Sequence, residues 1–477
     1  MYTPSWVRDA VFYQIFPDRF AKSEDVPKAG HLEPWDTPPT THGYKGGDLL
    51  GVVERLDYLQ DLGVTALYFN PIFQSGSNHR YHTHDYYTVD PMLGGNKALK
   101  KLLDAAHERG MKVVLDGVFN HASRGFFQFH DILENGPQSA YIDWFHVRSF
   151  PLYAYHDHGN LGYSAWWNLP ALPKFNTDTK AVREFLWDVG TYWLEFGIDG
   201  WRLDVPNEIA DDGFWREFRR RCRAVNPECY IVGEIWDDAG RWLQGDQFDA
   251  VMNYPFTRAA FGFAAAGTLN HSEIRRCGLQ YIAPLDAPAL AREIETLLVR
   301  HRPEVTEVQL NLLGSHDTPR ALTIVGGDET ALELSLFMLL TFPGAPCLYY
   351  GDELGLSGRH DPECRQAMPW DHPTTWNSAL QRRVKEMIAL RRARPALRGG
   401  SYETLRAEGA LYVFRRQGEG ETLIGLLNAG SEPVTVALPL EGERLEPLYG
   451  MGEGIELNGD KLTGTLSGRS SALLRLT

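Results

Sequence analysis

Three short apolar runs in this chain are each followed by an acidic residue, and this pattern constrains the fold more than any other feature. Asp204, Glu234 and Asp317 stand at the ends of these runs. Continuous apolar runs of this length are typical of strands buried in a parallel sheet. Three acids at three strand ends come together only if the strands lie side by side, as they do at the C-terminal rim of an α/β barrel.

Strand-like and helix-like segments alternate over about the first 390 residues, which predicts a (β/α)8 TIM barrel. Helical stripes of apolar residues follow three predicted N-caps, Asp48, Asn96 and Asp178. The predicted barrel strands are 10–16, 65–70, 112–116, the two runs that end at Asp204 and Glu234, 250–254, 309–315 and 345–350.

Two regions depart from this alternation. Residues 121–176 are rich in aromatic residues, His, Gly and Pro and show no clear period, which predicts an irregular insertion domain after the third strand. After Pro395, short apolar runs separated by Gly, Glu and Ser predict an antiparallel β domain. The predicted domains are therefore the barrel at 1–120 and 177–395, the insertion at 121–176 and the C-terminal β domain at 396–477.

Charge and cysteine usage restrict the partners and the compartment. The net charge of −15 disfavours nucleic acid and anionic membranes as partners and favours a neutral or cationic substrate. The five cysteines form no CxxC pair, which indicates reduced thiols and a cytosolic protein. The N-terminus has no apolar run, so we expect no signal peptide and a cytoplasmic location.

The acidic residues suit the cleavage of a glycosidic bond, which requires two carboxyl groups that flank the sugar. Asp204 suits the nucleophile, because Arg202 lies two residues back on the same strand and can hold it ionised. Glu234 suits the acid, because an apolar strand and Trp236 can raise its pKa. These residues alone leave open a structural Arg202–Asp204 ion pair and a helix-capping role for Glu234.

The order of the motifs identifies a family. The chain resembles the α-amylase superfamily of glycoside hydrolases through motifs at 10–20, 116–121 (Asp-Gly-Val-Phe-Asn-His), 200–204, 233–234 and 316–317. It most resembles the neopullulanase, cyclomaltodextrinase and maltogenic amylase branch, through the segments 172–176, 205–208 and 314–320. The similarity runs nearly from end to end.

The resemblance implies residue roles and an activity. Asp204 is expected to be the nucleophile, Glu234 the general acid/base and Asp317 the transition-state stabiliser. Tyr86 is expected to stack beneath a glucose ring, and His121 and His316 to form hydrogen bonds with the hydroxyls of that ring. Asp361 and Arg365 are expected to bind the next sugar. The other expected substrate-binding residues are Arg202, Glu208, Trp236 and Arg320.

The expected reaction is retaining hydrolysis of α-1,4 and also α-1,6 glucosidic bonds in maltodextrins, cyclodextrins or pullulan, with some transglycosylation. The alternative is a debranching enzyme or oligo-1,6-glucosidase that acts mainly on α-1,6 branches. The branch usually carries an N-terminal β domain that forms a dimer, and this chain begins where that domain would end. We therefore expect a monomer, or a dimer that no such domain builds.

No cofactor or metal ion is expected to take part in catalysis. Relatives often bind calcium in the loop after the first strand, whereas Lys22 here is expected to pair with Asp48 or Glu24, or to point to solvent. Two other classes remain as alternatives. One is a zinc hydrolase, and the other is a non-catalytic amylase-like protein. The zinc alternative rests on the histidines His79, His82, His84 and His121.

Overall fold

The computed structural model describes residues 3–156, 159–450 and 454–477. Within these residues, eight parallel strands form one sheet, in which the first strand pairs with the second and the eighth. A parallel bridge between Met252 and Leu310 joins the two edges and closes the barrel. This confirms the predicted TIM barrel. The barrel strands, in chain order, are Phe12–Ile15, Ala66–Phe69, Lys112–Gly117, Gly200–Leu203, Tyr230–Gly233, Ala250–Val251, Leu310–Leu312 and Ala345–Tyr349.

Helices follow the barrel strands and bury their apolar faces. The α-helices around the barrel include Leu49–Glu54, Leu56–Leu62, Gly95–Glu108, Lys180–Phe196, Asp212–Val225, Tyr254–Ala264, Ala287–Val299, Glu329–Thr341 and Ser378–Ala393. The remaining helices are Ser5–Asp9, Pro17–Phe20, Phe127–Asn135, His271–Ile274, Pro303–Thr306, Ala321–Ile324 and Pro395–Arg398.

The three predicted N-caps have different outcomes. The Asp48 carboxylate accepts a hydrogen bond from the Gly51 N–H, so its predicted capping role is confirmed. Asn96 lies inside its helix, and its side chain accepts the Val89 N–H instead. The prediction for Asp178 is wrong by one residue, because the N-cap of that helix is Thr179.

The sixth barrel strand is shorter than the predicted 250–254. The Asn253 side chain accepts a hydrogen bond from the Phe256 N–H and starts a helix at Tyr254. An apolar run alone does not distinguish a strand end from the first turn of a buried helix.

The segment after the third strand forms an irregular layer on the barrel. Its described residues include the α-helix Phe127–Asn135 and short 3-10 helices, and isolated antiparallel bridges connect them, among them His121 with Lys174 and Phe145 with Phe175. A short hairpin, Phe73–Ser75 with Thr83–Val89, follows the second barrel strand. The domain boundaries remain predictions.

The C-terminal region is antiparallel, as predicted, and its described residues form two sheets. A five-stranded sheet and a three-stranded sheet enclose a separate apolar cluster. The first sheet consists of Ser401–Glu408, Leu411–Gly418, Glu421–Asn428, Ser470–Leu476 and Leu445–Gly450, and the second of Val434–Pro439, Lys461–Leu466 and Glu456–Asn458.

Across the described residues, no helix is both long and apolar enough to cross a membrane. All five cysteines are free thiols, four of them buried.

Candidate active site

A fully buried arginine lies among three carboxyl groups at the C-terminal ends of the third, fourth and fifth barrel strands. Arg202 Nη1 donates to Asp116 Oδ1 at 3.0 Å and to Asp204 Oδ1 at 3.1 Å. Its Nη2 lies 3.0 Å from Glu234 Oε2. We call these four residues the Arg202 cluster. One guanidinium thus joins acids that lie far apart in the sequence, because parallel strands present their ends at one rim.

One cation among three carboxyl groups leaves an excess of acid, and this changes the acidity of the cluster. Burial raises the pKa of Asp116 to about 6, against the opposing charge of Arg202. Burial and the nearby charge of Glu234 raise the pKa of Asp204 well above its ordinary value. Burial also raises the pKa of Glu234, again against Arg202. The carboxyl groups therefore titrate together and retain a proton at higher pH than isolated acids do.

The Glu234 carboxyl is fixed by two donors. The Val205 N–H donates to Oε2 and the Trp236 Nε1–H donates to Oε1, both at 3.2 Å. The Trp236 ring lies against Tyr254 at 3.6 Å between centroids, and a Cβ on Gly278 would lie 2.8 Å from it. Tyr254 covers one face of the partly exposed Trp236 ring, and the expected substrate contact of Trp236 stays a prediction. Its indole N–H positions Glu234.

Asp317 and His316 lie together beside the Arg202 cluster. The amide groups of Gln14 and Asn70 donate to His316 Nδ1 at 3.0 and 2.9 Å, so the ring proton is on Nε2. His316 Nε2 lies 2.7 Å from the Tyr81 hydroxyl and 3.1 Å from Asp317 Oδ2. Burial lowers the pKa of His316 well below its ordinary value, so the ring is neutral.

Arg365 holds two acids and a backbone carbonyl at the same edge. Its Nη2 lies 3.3 Å from Asp317 Oδ1 and its Nη1 lies 3.1 Å from Asp361 Oδ2. Its Nε–H donates to the His316 carbonyl oxygen at 2.9 Å. The structure therefore brings Asp317, Asp361 and Arg365 together, as the sequence predicted.

His121 follows the third strand and is almost fully buried. Its ring stacks against Trp166, with centroids 5.4 Å apart. The Asn120 amide lies 3.3 Å from Nδ1, which leaves the ring proton on Nε2. Within the described part of the chain, Nε2 has no hydrogen-bond partner. Burial lowers the pKa of His121 to about 3, so this histidine is a neutral donor.

The tyrosine predicted to stack beneath a sugar is not at the site. Tyr86 is 1% exposed, and its hydroxyl donates to the carbonyl oxygens of Val118 and His121 at 2.9 and 2.8 Å. Its ring packs inside an aromatic cluster, so the prediction for Tyr86 is wrong.

The tyrosine at the site is Tyr81, which the sequence analysis missed. Tyr81 is partly exposed, and its hydroxyl donates to Asp116 Oδ2 at 2.8 Å. The same hydroxyl lies beside His316. The only sequence signal was its position within the histidine-rich segment that includes His79 and His82.

Two arginines expected to bind substrate have no exposed surface. The guanidinium of Arg320 lies over the rings of Tyr349 and Tyr350, at 4.3 and 4.5 Å from their centroids, and Nη1 donates to Asp352 at 3.2 Å. Arg320 therefore supports the barrel and does not reach a sugar. Arg202 is equally buried and contacts the carboxyl groups, and its expected contact with substrate stays a prediction.

Glu208 lies at the exposed edge of the same rim. Its carboxylate pairs with Lys174 Nζ at 3.2 Å, which joins the segment after the fourth strand to the insertion. A position between these two segments suits the expected contact with a bound chain.

The metal hypotheses have different outcomes. In residues 3–156, 159–450 and 454–477, no three His, Cys, Asp or Glu side chains are placed to hold a metal ion, so the zinc alternative has no support. Near the first strand, Lys28 and not Lys22 pairs with Asp48, at 2.7 Å. The Lys22 ammonium lies 5.8 Å from the Trp35 ring centroid. The predicted pairing of Lys22 with Asp48 is therefore wrong.

Comparison with known proteins decides the family. The sequence model described as alpha-amylase, catalytic domain, matches residues 14–392. The chain belongs to the α-amylase family. This α-amylase family chain is 45% identical to a cyclomaltodextrinase of Geobacillus thermopakistaniensis over 442 residues, which span 92% of this chain and 72% of the relative.

Solved structures of the α-amylase family superpose on the whole chain. A debranching enzyme from Nostoc punctiforme has a TM-score of 0.92 and 50% identity, with 99% of each chain covered. A cyclic α-maltosyl-(1→6)-maltose hydrolase from Arthrobacter globiformis has a TM-score of 0.88 and 36% identity, with 100% of each chain covered. The predicted family is confirmed, and the chain is an α-glucan hydrolase of that family.

Proposed function

We propose that this chain hydrolyses α-glucosidic bonds of maltodextrins, cyclodextrins or pullulan with retention of configuration, by double displacement. Asp204 is the nucleophile, Glu234 the general acid/base and Asp317 the stabiliser of the transition state. The observation that carries the proposal is the shared contact of Asp204 and Glu234 with one guanidinium, at 3.1 and 3.0 Å. Retaining glycosidases hold their two carboxyl groups only about 5–5.5 Å apart, and a common arginine favours such closeness.

The proposed roles divide two steps between Asp204 and Glu234. In the first step Asp204 attacks the anomeric carbon, and Glu234 gives its proton to the leaving oxygen. In the second step Glu234 takes a proton from water, which attacks the same carbon and releases Asp204. Burial raises the pKa of Glu234, which favours its protonated form, and the adjacent Arg202 stabilises the Asp204 carboxylate.

Neutral donors and a carboxylate surround the reacting sugar in this proposal. His316 and His121 each carry a proton on Nε2, and Asp317 lies 3.1 Å from His316. These groups bind sugar hydroxyls, which both donate and accept hydrogen bonds. Tyr81 replaces Tyr86 as the proposed aromatic contact, and Asp361 with Arg365 binds the next sugar.

Proton NMR of the first product tests the mechanism. Hydrolysis of maltotriose should release the α anomer before mutarotation sets in, because the two displacements each invert the anomeric carbon. A β anomer at early times would instead require a water between acid and base and would exclude Asp204 as nucleophile.

A second candidate is a preference for α-1,6 branches. The names of the Nostoc and Arthrobacter relatives, a debranching enzyme and a hydrolase of an α-1,6-linked cyclic maltosyl-maltose, favour it. Initial rates on pullulan, γ-cyclodextrin, maltoheptaose and a maltosyl-branched dextrin separate the candidates. Much faster cleavage of the branched dextrin selects debranching. Comparable rates on the linear and cyclic substrates select the broader activity.

We propose a cytosolic enzyme, a monomer or a dimer, that acts on short maltodextrins and requires no cofactor, nucleic acid or membrane. The five free thiols and the net charge of −15 support this setting. Tight binding to raw starch together with inactivity on maltotetraose and branched dextrins would contradict it.

A further inference from the structure

An exposed tryptophan extends the active site outward along the insertion. Trp167 is 79% exposed, more than any other large apolar side chain among the described residues. One face of its ring lies on Trp166, with centroids 4.6 Å apart and planes at 11°. Trp166 in turn stacks on His121 at 5.4 Å and 20°. We call these three rings the His121 stack. It runs from a buried active-site histidine to an open aromatic face.

The backbone holds Trp167 in this exposed position at a conformational cost. Trp167 and Asn168 both have positive φ, 48° and 56°. Asparagine tolerates this left-handed region, but a bulky side chain rarely adopts it. Two successive residues in this conformation fold the chain back, so that neighbouring tryptophan rings stack. Strained conformations persist where the surrounding structure over-determines them, and they cluster at ligand-binding sites.

Backbone hydrogen bonds fix the loop that carries the stack. The Trp166 N–H donates to the Leu172 carbonyl at 3.0 Å, and the Leu169 N–H donates to the Trp166 carbonyl at 2.9 Å. An antiparallel bridge between Ala165 and Pro173 closes the loop at its base. A ring on a closed loop loses little freedom when a ligand covers it, which favours binding.

Polar atoms along the stack point to a polar ligand rather than to an apolar partner. His121 Nε2 and Trp166 Nε1 are both buried, and neither has a hydrogen-bond partner within the described residues. Buried N–H groups without partners are rare in folded proteins. An apolar partner would leave both unsatisfied, whereas a carbohydrate supplies hydroxyl acceptors beside an apolar ring face.

We propose that the exposed face of Trp167 binds a glucose ring of an α-glucan chain that continues outward from the catalytic centre, and so selects longer chains. The proposal rests on the proposed α-glucan hydrolysis and adds a chain-length determinant to it. The exposed ring face is apolar, so it suits the apolar face of a neutral sugar ring. Its continuity with His121 places this contact on the path of the bound chain.

The test compares Trp167→Ala with Trp167→Phe and with Phe127→Ala, which removes an exposed aromatic of the insertion outside the His121 stack. For each variant, kcat/KM is measured on maltotriose and maltoheptaose, and Tm verifies the fold. Trp167→Ala should lower kcat/KM about five- to tenfold on maltoheptaose and leave maltotriose within about twofold. Trp167→Phe should recover most of the loss, and Phe127→Ala should behave as wild type.

Two results overturn the proposal in an active enzyme. Equal losses on both substrates would show that Trp167 only supports Trp166 and His121. Unchanged kinetics on maltoheptaose would show that the ring meets no substrate. If the wild-type protein cleaves neither substrate, the proposed hydrolysis is wrong. Calorimetry then tests the subsite by measuring how tightly each protein binds maltoheptaose. Weaker binding by Trp167→Ala than by wild type supports the subsite, and equal or absent binding overturns it.

Discussion

Two buried clusters near the barrel rim each pair a cation with carboxylate, and they differ in charge balance. In the Arg202 cluster one guanidinium meets three carboxyl groups. In the loop after the first strand, Lys28 Nζ meets one carboxylate, that of Asp48, and the Met92 carbonyl at 2.8 Å. We call the second arrangement the Lys28 pair.

The difference in charge balance distinguishes a group that can transfer protons from an ion pair that only stabilises the fold. In the Lys28 pair one positive charge matches one negative charge, so the pair has no excess acid to protonate. In the Arg202 cluster two carboxyl groups exceed the cation, and burial makes their ionisation costly. The Arg202 cluster therefore retains a proton at higher pH than isolated carboxyl groups do. An excess of buried acid over base marks the site more clearly than burial of charge does.

Removal of one acid should have the largest effect. Glu234→Gln should lower kcat on maltodextrins by about 10²–10⁴-fold, the range for a general acid/base. An α-glucosyl fluoride needs little protonation of its leaving group, so its first step should lose less. The control Glu134→Gln changes an exposed glutamate of the insertion and should behave as wild type. Equal losses on both substrates would show that Glu234 only positions other groups.

Removal of the cation should move the pH profile. Arg202 lowers the pKa of Asp204, so Arg202→Met raises that pKa further and Asp204 ionises only at higher pH. The acidic limb of kcat/KM against pH should shift upward by about 1–3 units, and stability in urea should fall by about 3–5 kcal/mol.

The matched control for this prediction is Arg320→Met. Arg320 is equally buried, but it contacts Asp352 and two tyrosine rings outside the Arg202 cluster. It should lose stability and keep the wild-type acidic limb. A shift of the same size in both variants would show that lost packing moves the profile, and not the lost charge of Arg202.

The barrel and the position of the acidic residues at its strand ends could be predicted from the sequence, because both depend on local patterns. Apolar runs followed by Asp204, Glu234 and Asp317 need only the rule that parallel strands present their ends together. Arg202 also lies on such a strand, two residues before Asp204, and this spacing predicts that their side chains point to the same side of the sheet.

The errors concern contacts made far along the chain. Tyr86 lost its predicted position beneath a sugar because Phe126 and Phe175, distant in the sequence, pack against its buried ring. Lys28 replaced Lys22 because only the folded loop shows which ammonium reaches Asp48. Neither the periodicity of apolar residues nor the spacing of motifs predicts which of two nearby side chains makes a given contact in the folded protein.

Substitutions of Tyr81 and Tyr86 should have effects of moderate size. Tyr81→Phe removes a hydroxyl that donates to Asp116 at 2.8 Å and touches His316, so kcat/KM should fall by about tenfold. Tyr86→Phe removes a hydroxyl bonded only to backbone carbonyls. It should cost about 1 kcal/mol of stability and leave kcat/KM near wild type. The reverse pattern would restore Tyr86 as the substrate contact.

The smallest expected effect concerns calcium at the Lys28 pair. Asp48 Oδ1 accepts the Gly51 N–H at 2.7 Å, and Oδ2 accepts the Ser23 N–H at 2.9 Å and the Lys28 ammonium at 2.7 Å. Calcium requires six to eight oxygen ligands, and both oxygens of this carboxylate are already engaged. The Tm in excess chelator and in millimolar calcium should therefore differ by less than about 2 °C, a shift equivalent to under about 1 kcal/mol.

Lys28→Met makes the calcium test decisive, because it removes the ammonium and leaves the Asp48 carboxylate in place. The variant should melt at a lower temperature than wild type, since a buried carboxylate loses its partner. If calcium then raises the Tm of Lys28→Met but not that of wild type, the ammonium occupies the position of a cation in this loop. A calcium-dependent rise of many degrees in wild type would contradict the charge balance assigned to the Lys28 pair, because other oxygens would then have to complete a metal site around Asp48.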